Sequence, residues 1–271
     1  LRLTLGAAAE GIERVAVRLR GLAYAPHRHD TYAIGVTLAG VQTFRYRGRR
    51  RVCLPGEGHV LHPDEMHDGG AGTEDGFAYA ILYIDPALVQ EALGGRALPF
   101  VADPVIGRAQ MDPTLVAHLR RIDEPLGDVG RVDLAVAVAA TLQRHAGGSA
   151  PRPSPLPWAE LLRVRELILE DPTVRHRVEA LERIAGLDRW TLARRFRQAF
   201  GTSPSRFCTM RRLDRARRMM LAGMPQSAVA LESGFTDQSH MARSFKRTYG
   251  LTPAAWTAAA RGQAPGSSAP G

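Results

Sequence analysis

GLDRWTLARRFRQAFGTSPSRF (186–207) and GFTDQSHMARSFKRTYGLTPAAW (234–256) are one pattern written twice, 48 to 49 residues apart. Gly186 matches Gly234, Arg194 matches Arg243, and Phe196 matches Phe245. Gly201 then matches Gly250, Pro204 matches Pro253, and Phe207 matches Trp256. An internal repeat marks one structural unit used twice. Each copy reads as a turn, a helix with a polar face, a glycine that stops it, and a proline that opens another helix.

In the first copy Asp188 caps a helix expected over 189–200, and Gly201 ends it. Leu192, Phe196 and Phe200 recur at i, i+4, i+8 and face a core. Arg189, Trp190, Thr191, Arg194, Arg195 and Gln198 remain on the other side. In the second copy, expected over 237–249, Met241, Phe245 and Tyr249 turn inward. Gln238, Ser239, His240, Arg243 and Arg247 turn outward. Such side chains suit base-edge reading: Arg pairs with guanine, Gln with adenine, and an aromatic ring or Thr methyl meets the thymine methyl. VEALERIAG (178–186) and PQSAVALESG (225–234) supply a supporting helix ahead of each reader, which completes two helix-turn-helix units.

Ser203-Pro204 opens a connecting helix toward Gly223 that carries Arg211, Arg212, Arg215, Arg217 and Arg218. About 18 residues give roughly 27 Å of strut. That length suits two readers in successive major grooves about 34 Å apart. Arg217 stands as the strut's candidate phosphate contact.

The 271 residues carry a net charge of +9. Residues 1–156 hold 17 basic and 17 acidic side chains, whereas 157–271 hold 19 against 10, so the whole excess lies with the repeat. A basic half beside a neutral half points to double-stranded DNA as the partner of one domain. Cys53 and Cys208 fall in different halves at no ligand spacing and read as reduced thiols. Glu10, Glu13 and Arg14 interrupt the first apolar stretch, and no window reaches 18 uncharged apolar residues. Neither a signal peptide nor a membrane span is expected, and the chain reads as soluble and cytoplasmic.

Residues 160–260 resemble the DNA-binding domain of the AraC/XylS family of transcriptional regulators, most closely over ESGFTDQSHMARSFKRTYGLTPAAW (232–256). The resemblance implies that Trp190 and Arg194 in the first reader, and Gln238, Ser239, His240 and Arg243 in the second, sit at base-contacting positions. It also implies RNA polymerase and a second copy of the chain as partners. The first supporting helix departs from the family by carrying Glu182, where the second unit keeps the small Ala230.

The neutral half reads differently. Alternation over 15–19, 34–38, 41–46 and 77–84, with turn signals at Gly40, Gly48, Pro55-Gly56 and Gly69-Gly70, predicts an antiparallel barrel or sandwich. The GRRR run (48–51) is placed on a hairpin turn. From Asp85 the period becomes helical, and DPALVQEAL, DPTLVAHLRRI and GRVDLAVAVAATLQRHA read as helices. Leu134, Val138 and Leu142 form a stripe in the third, open to packing on the barrel or to a dimer interface. The fold is thus α+β: an N-terminal antiparallel β-barrel domain with helices (1–145), a linker (146–157), an all-α double helix-turn-helix domain (158–261) and a disordered tail (262–271).

PHRHDTYAIGVTLAG (26–40) and GEGHVLHPDEMH (56–67) carry the remaining chemistry. His27 and His29, two apart, share a strand face, and the same alternation puts Asp30 opposite. His27, His29, Gly40, Gly56 and His67 resemble the two motifs of the cupin barrel, with Ala33 where that family has a glutamate ligand. The resemblance implies an effector-sensing barrel. Three histidines can hold a divalent ion such as zinc at His27, His29 and His67. They can equally line a metal-free pocket for a small-molecule effector, with Tyr32, Tyr46 and Tyr79 beside them; His59 and His62 read as surface or core. An effector-responsive regulator is the reading that joins the two halves. Its rivals are a cupin-type metalloenzyme fused to a DNA-binding module, which the missing carboxylate at Ala33 disfavours, and a constitutive architectural binder.

Overall fold

Strands β1 (Arg2–Leu5), β2 (Ile12–Leu19), β3 (Tyr24–His27), β4 (Tyr32–Gly40), β5 (Gln42–Tyr46), β6 (Arg49–Cys53), β7 (Gly58–Leu61), β8 (His67–Ala71) and β9 (Phe77–Ile84) come first. The short β10 (Val105–Ile106) follows helix α1 (Pro86–Ala92). A computed structural model of the chain describes residues 1–7, 9–20, 24–147 and 156–262. The expected linker, apart from its ends, and the expected tail beyond Gly262 lie outside the described residues.

All strand pairs are antiparallel and form two sheets, ordered β1-β2-β9-β4-β7-β10 and β3-β8-β5-β6. The larger sheet is covered on both faces, and the two-residue period shows it. Along β9, Phe77, Tyr79 and Ile81 face the barrel interior, while Ala80, Leu82 and Ile84 face a helical layer. That layer is α1, α2 (Pro113–Arg120) and α3 (Asp128–His145). Asp85 and Asp112 cap α1 and α2 ahead of first-turn prolines, as the Asp-Pro pairs predict. Leu134, Val138 and Leu142 are fully buried in this layer. Their stripe therefore packs on the barrel; each such side chain contributes about 1.5–3 kcal/mol by burial. The opposite face of α3 exposes Val129, Val132 and Val136.

The sequence reading captures β2, β4, β5 and β9, places His27 and His67 on strands that prove to be β3 and β8, and passes over β1, β6, β7 and β10. The GRRR run is corrected: only Arg47-Gly48 turns, with Arg47 at φ 49° and Gly48 at φ 76°, and Arg49–Arg51 lie on β6. There Arg51 pairs with Asp103 at 3.4 Å.

Beyond the undescribed stretch the chain is helical: α4 (Trp158–Glu170), α5 (Val178–Ala185), α6 (Arg189–Phe200), α7 (Pro204–Leu221), α8 (Gln226–Glu232), α9 (Gln238–Tyr249) and α10 (Pro253–Ala260). Asp188 accepts from Trp190 N and Thr191 N, and Asp237 from His240 N, so each reader starts on a carboxylate cap. Gly201 (φ 72°) and Gly250 (φ 70°) end them in the left-handed region, which glycine enters without a Cβ penalty. The repeat also governs packing. Phe196 meets Phe200 at 4.6 Å and Phe207 at 5.8 Å, and Phe245 meets Tyr249 and Trp256 at the same two distances.

Candidate functional site

The readers α6 and α9 present Arg194 and Arg243 on exposed faces, with Arg189, Gln238 and Ser239 exposed beside them. Trp190 is 78 % exposed, so its indole is not a core group. Thr191 and Arg195 are half-buried, and Arg195 donates to Gln198 Oε1 at 3.2 Å. His240 is half-buried, edge-on to Phe235 and hydrogen-bonded to Thr236 Oγ1 at 3.0 Å. Arg247 sits at the C-terminal end of α9, where its Nε donates to the Arg243 carbonyl. Glu182, the departure in the first unit, accepts from Arg189 N at 2.7 Å. It thereby meets one of the unpaired N–H groups that begin a helix.

Both readers turn their C-terminal ends onto the barrel. Arg28 N donates to the Arg247 carbonyl at 3.1 Å and Ala25 N to the Gly250 carbonyl at 3.3 Å, so β3 and its following loop meet acceptors that the end of α9 leaves unpaired. A Cβ at Gly201 would collide with Pro63, and one at Gly250 would press on His27 Nδ1 and the Ala25 carbonyl. The two glycines that match in the repeat are therefore both points of close approach between the halves.

Helix α7 lies across the barrel. Arg211 donates to Asp30 Oδ2 at 2.8 Å, Arg206 Nε lies 2.7 Å from Asp64, and Arg217 holds Glu13 with two nitrogens. Arg165 of α4 pairs with Asp85 at 2.5 Å. The expectation of a phosphate contact at Arg217 is thus overturned. Its guanidinium is held by Glu13 of the barrel and stacked over Tyr249, at the end of α9, and Trp256. Arg212 and Arg215 likewise donate to backbone carbonyls of Pro172 and Glu232.

Between α7 and the barrel lies a cavity of about 530 Å³, within the range usual for small-molecule sites. Its apolar wall includes Val15, Val17, Phe44, Leu61, Phe77 and Ile81, and Met210 and Trp256 close it from the helical half. His27, His29 and His67 all line it. The ring of His67 lies 4.3 Å from that of His27 and 4.9 Å from that of His29. Each Nδ1 faces a backbone carbonyl, of Ala25, Thr31 and Glu65 respectively, at 2.8–2.9 Å. Burial pulls His27 down to about 4 and His29 to about 3, and holds His67 well below its ordinary value, so all three are neutral at pH 7.

The strand argument for these histidines needs correction. β3 ends at His27, so His29 and Asp30 follow in the loop before β4, and both line the cavity. Tyr79 lines it as expected, but Tyr32 and Tyr46 are not among its lining residues. Tyr32 alternates with Ala33 and points into the helical layer, its hydroxyl 3.4 Å from the Pro99 carbonyl. Tyr46 ends β5, and its hydroxyl accepts from His62 N. The sequence reading misses His59, Gln42, Tyr24 and Tyr83 as lining residues. Gly35 signals His59: a Cβ there would enter the His59 imidazole across the β4–β7 pair, and a glycine inside a strand often marks such an approach.

Among the described residues, no group of three or more His, Cys, Asp or Glu stands in metal-holding geometry. Ala33, where the cupin motif places a carboxylate, is a fully buried core residue. Among the same residues, no helix is long and apolar enough to cross a membrane.

Comparison with known proteins agrees with both halves. Residues 11–135 match a family model described as the AraC-like ligand binding domain, and residues 181–259 match a helix-turn-helix domain, together about three quarters of the chain. The HTH-type transcriptional regulator YbfI of Bacillus subtilis is 25 % identical over 237 residues, covering 83 % of this chain and 85 % of that protein. The HTH-type transcriptional regulator MtrA of Neisseria gonorrhoeae is 31 % identical over 88 residues, covering 32 % of this chain and 29 % of that protein. Among solved structures, ToxT from Vibrio cholerae superposes with a TM-score of 0.67 at 11 % identity, covering 94 % of this chain and all of that one. A second ToxT structure, with an unsaturated fatty acid bound, gives 0.66 at 14 % identity, covering 93 % and 96 %. At these identities the superpositions speak for the two-part fold alone.

Proposed function

This chain belongs to the AraC family of DNA-binding transcriptional regulators, with an N-terminal ligand-binding domain, and from that premise we propose how the two halves communicate. An apolar effector enters the cavity between barrel and α7 and shifts the balance between two placements of the reading helices on DNA. The observation that carries this is the shared wall: Phe44 and Tyr79 of the barrel, and Met210, Arg211 and Trp256 of the helical half, line the same space. An occupant contacts both halves at once, so its affinity differs between joined and separated arrangements, which is the condition for shifting them. The fatty acid bound to ToxT supports an apolar body for the effector.

Arg194 and Arg243 are the readers in this proposal. Alanine at either position should weaken binding to a selected operator by about 1–3 kcal/mol, roughly 5- to 150-fold, and relax base preference where that helix sits. Fluorescence anisotropy on a set of single-base operator variants measures both effects. An unchanged affinity and preference would remove that helix from the reading role.

Two chains pair, in the same proposal, through the exposed Val129, Val132 and Val136 face of α3, and the regulator acts with RNA polymerase in the cytoplasm. The domains divide near the undescribed stretch after Gly147. No catalytic role is assigned to any residue.

A divalent ion at His27, His29 and His67 is the second reading. It rests on the three Nδ1–carbonyl contacts, the kind of outer partner that orients metal-binding imidazoles. Elemental analysis of the purified chain, before and after chelation, tests it: near-stoichiometric zinc lost together with thermal stability supports the ion, and a trace amount retires it.

A further inference from the structure

Among the described residues, five buried polar atoms of the cavity lining have no partner: His29 Nε2 and Asp30 Oδ1, which accept, His59 Nδ1, and the Nε of Arg211 and of Arg217, whose guanidiniums are already held by Asp30 and Glu13. The Thr31 carbonyl beside His29 Nδ1 can only accept, so Nδ1 carries the ring proton and Nε2 keeps its lone pair. Asp30 commits its other oxygen to Arg211. His29 and Asp30 are no more than 5 % exposed, and a buried acceptor left without a donor carries a desolvation cost that an occupant can relieve.

The charges around the cavity point the same way. Three guanidinium groups line it, from Arg211, Arg217 and Arg218, against six carboxylates, from Glu10, Glu13, Asp30, Asp68, Asp85 and Asp214. Arg211 is matched by Asp30 and Asp214, and Arg217 by Glu13 and Asp214. An entering anion meets a surplus of negative groups and no unmatched buried cation among them. A head group that donates hydrogen bonds meets two unpaired acceptors.

On the reading that this cavity holds the effector, we propose that it selects an apolar molecule whose head group donates hydrogen bonds to His29 Nε2 and Asp30 Oδ1, a hydroxyl or an amine, and discriminates against carboxylates. The class follows from the wall's own atoms: Val15, Phe44 and Ile81 give the effector an apolar bed, and the donor fixes its end.

Four probes of equal chain length test this on the full protein by thermal shift and calorimetry: decan-1-ol, decylamine, 1-methoxydecane and decanoate. The alcohol or the amine, or both, should bind at least tenfold tighter than the ether, which only accepts, and than decanoate; their order tells a neutral from a charged donor. In His29→Leu the tightest donor should fall toward the ether's affinity while the ether itself is unchanged. The wild-type comparison stands by itself if that variant does not fold. Decanoate or the ether matching the best donor overturns the proposal and leaves the effector cavity standing. Failure of all four to bind or to move the melting midpoint sinks both.

Discussion

Arg211→Ala should cost the folded chain about 3–5 kcal/mol near pH 8, because it strips the partner from a buried carboxylate. Asp30 is 3 % exposed, and Arg211 reaches it from 181 residues away at 2.8 Å. One Asp30 oxygen is already unpartnered, so no second group takes over when the guanidinium is gone. Burial raises the Asp30 carboxyl to about 6 even with Arg211 present. Without Arg211 it rises further, and the carboxyl becomes neutral at a higher pH. The penalty should therefore shrink as the buffer is lowered from pH 8 toward 6, where a neutral Asp30 carries no charge to leave unmatched. Arg211→Met keeps the stem packed over Phe207, where the guanidinium lies 4.9 Å from the ring. The pair Asp30→Asn with Arg211→Met removes both charges and should recover most of the loss. Urea unfolding of the parent chain, Asp30→Asn, Arg211→Met and the double variant closes the cycle. A coupling below about 0.5 kcal/mol, the range for independent sites, would mean that Arg211 and Asp30 do not hold each other.

That expectation could not be formed from the sequence, and the reason is physical. The readers were legible because each signal is local: Asp188 and Asp237 cap, Gly201 and Gly250 stop, and the aromatic spacing places Phe196 and Phe245 inward. The arginines of α7 obey no such rule. Read along the helix they look like a phosphate-seeking edge, and only the fold shows Arg206, Arg211 and Arg217 committed to Asp64, Asp30 and Glu13. The barrel was half legible for a related reason. Because β4 is buried on both faces, hydrophobicity cannot tell Tyr32 from Ala33, and so Tyr32 went to the cavity on type alone. The histidine triad was found by a motif, although the strand geometry offered for it ends at His27. Its members converge because Thr31 and Glu65 carbonyls fix the rings across a loop and a neighbouring strand.

Acidification from pH 7 to 5 should destabilise the barrel by several kcal/mol, a large share of the ~5–15 kcal/mol that holds most domains folded. Five imidazoles drive it. Burial lowers His27, His59 and His62 to about 4 and His29 to about 3, and keeps His67 well below the usual 6.5. For a base lowered on folding, the unfolded chain takes up its proton first as the pH falls. The stability is whole above the unfolded value near 6.5 and drains away toward the folded value near 4. Each imidazole contributes up to about 1.4 kcal/mol per pH unit in that window. Asp30 opposes the trend: its raised carboxyl binds a proton in the folded state first, favouring that state as the pH drops below about 6. One carboxyl against five imidazoles leaves the sign unchanged. Melting midpoints in matched-salt buffers at pH 7, 6 and 5 measure the slope. His62→Asn is the informative variant, since its amide oxygen can still accept from Val101 N, as His62 Nε2 does at 3.1 Å, while one titrating group disappears. Its curve should be shallower than that of the parent chain by one imidazole's share. A midpoint that holds constant from pH 7 to 5 would mean that the rings already reach solvent or carry protons, and the neutral lone pair assigned to His29 would fall with them.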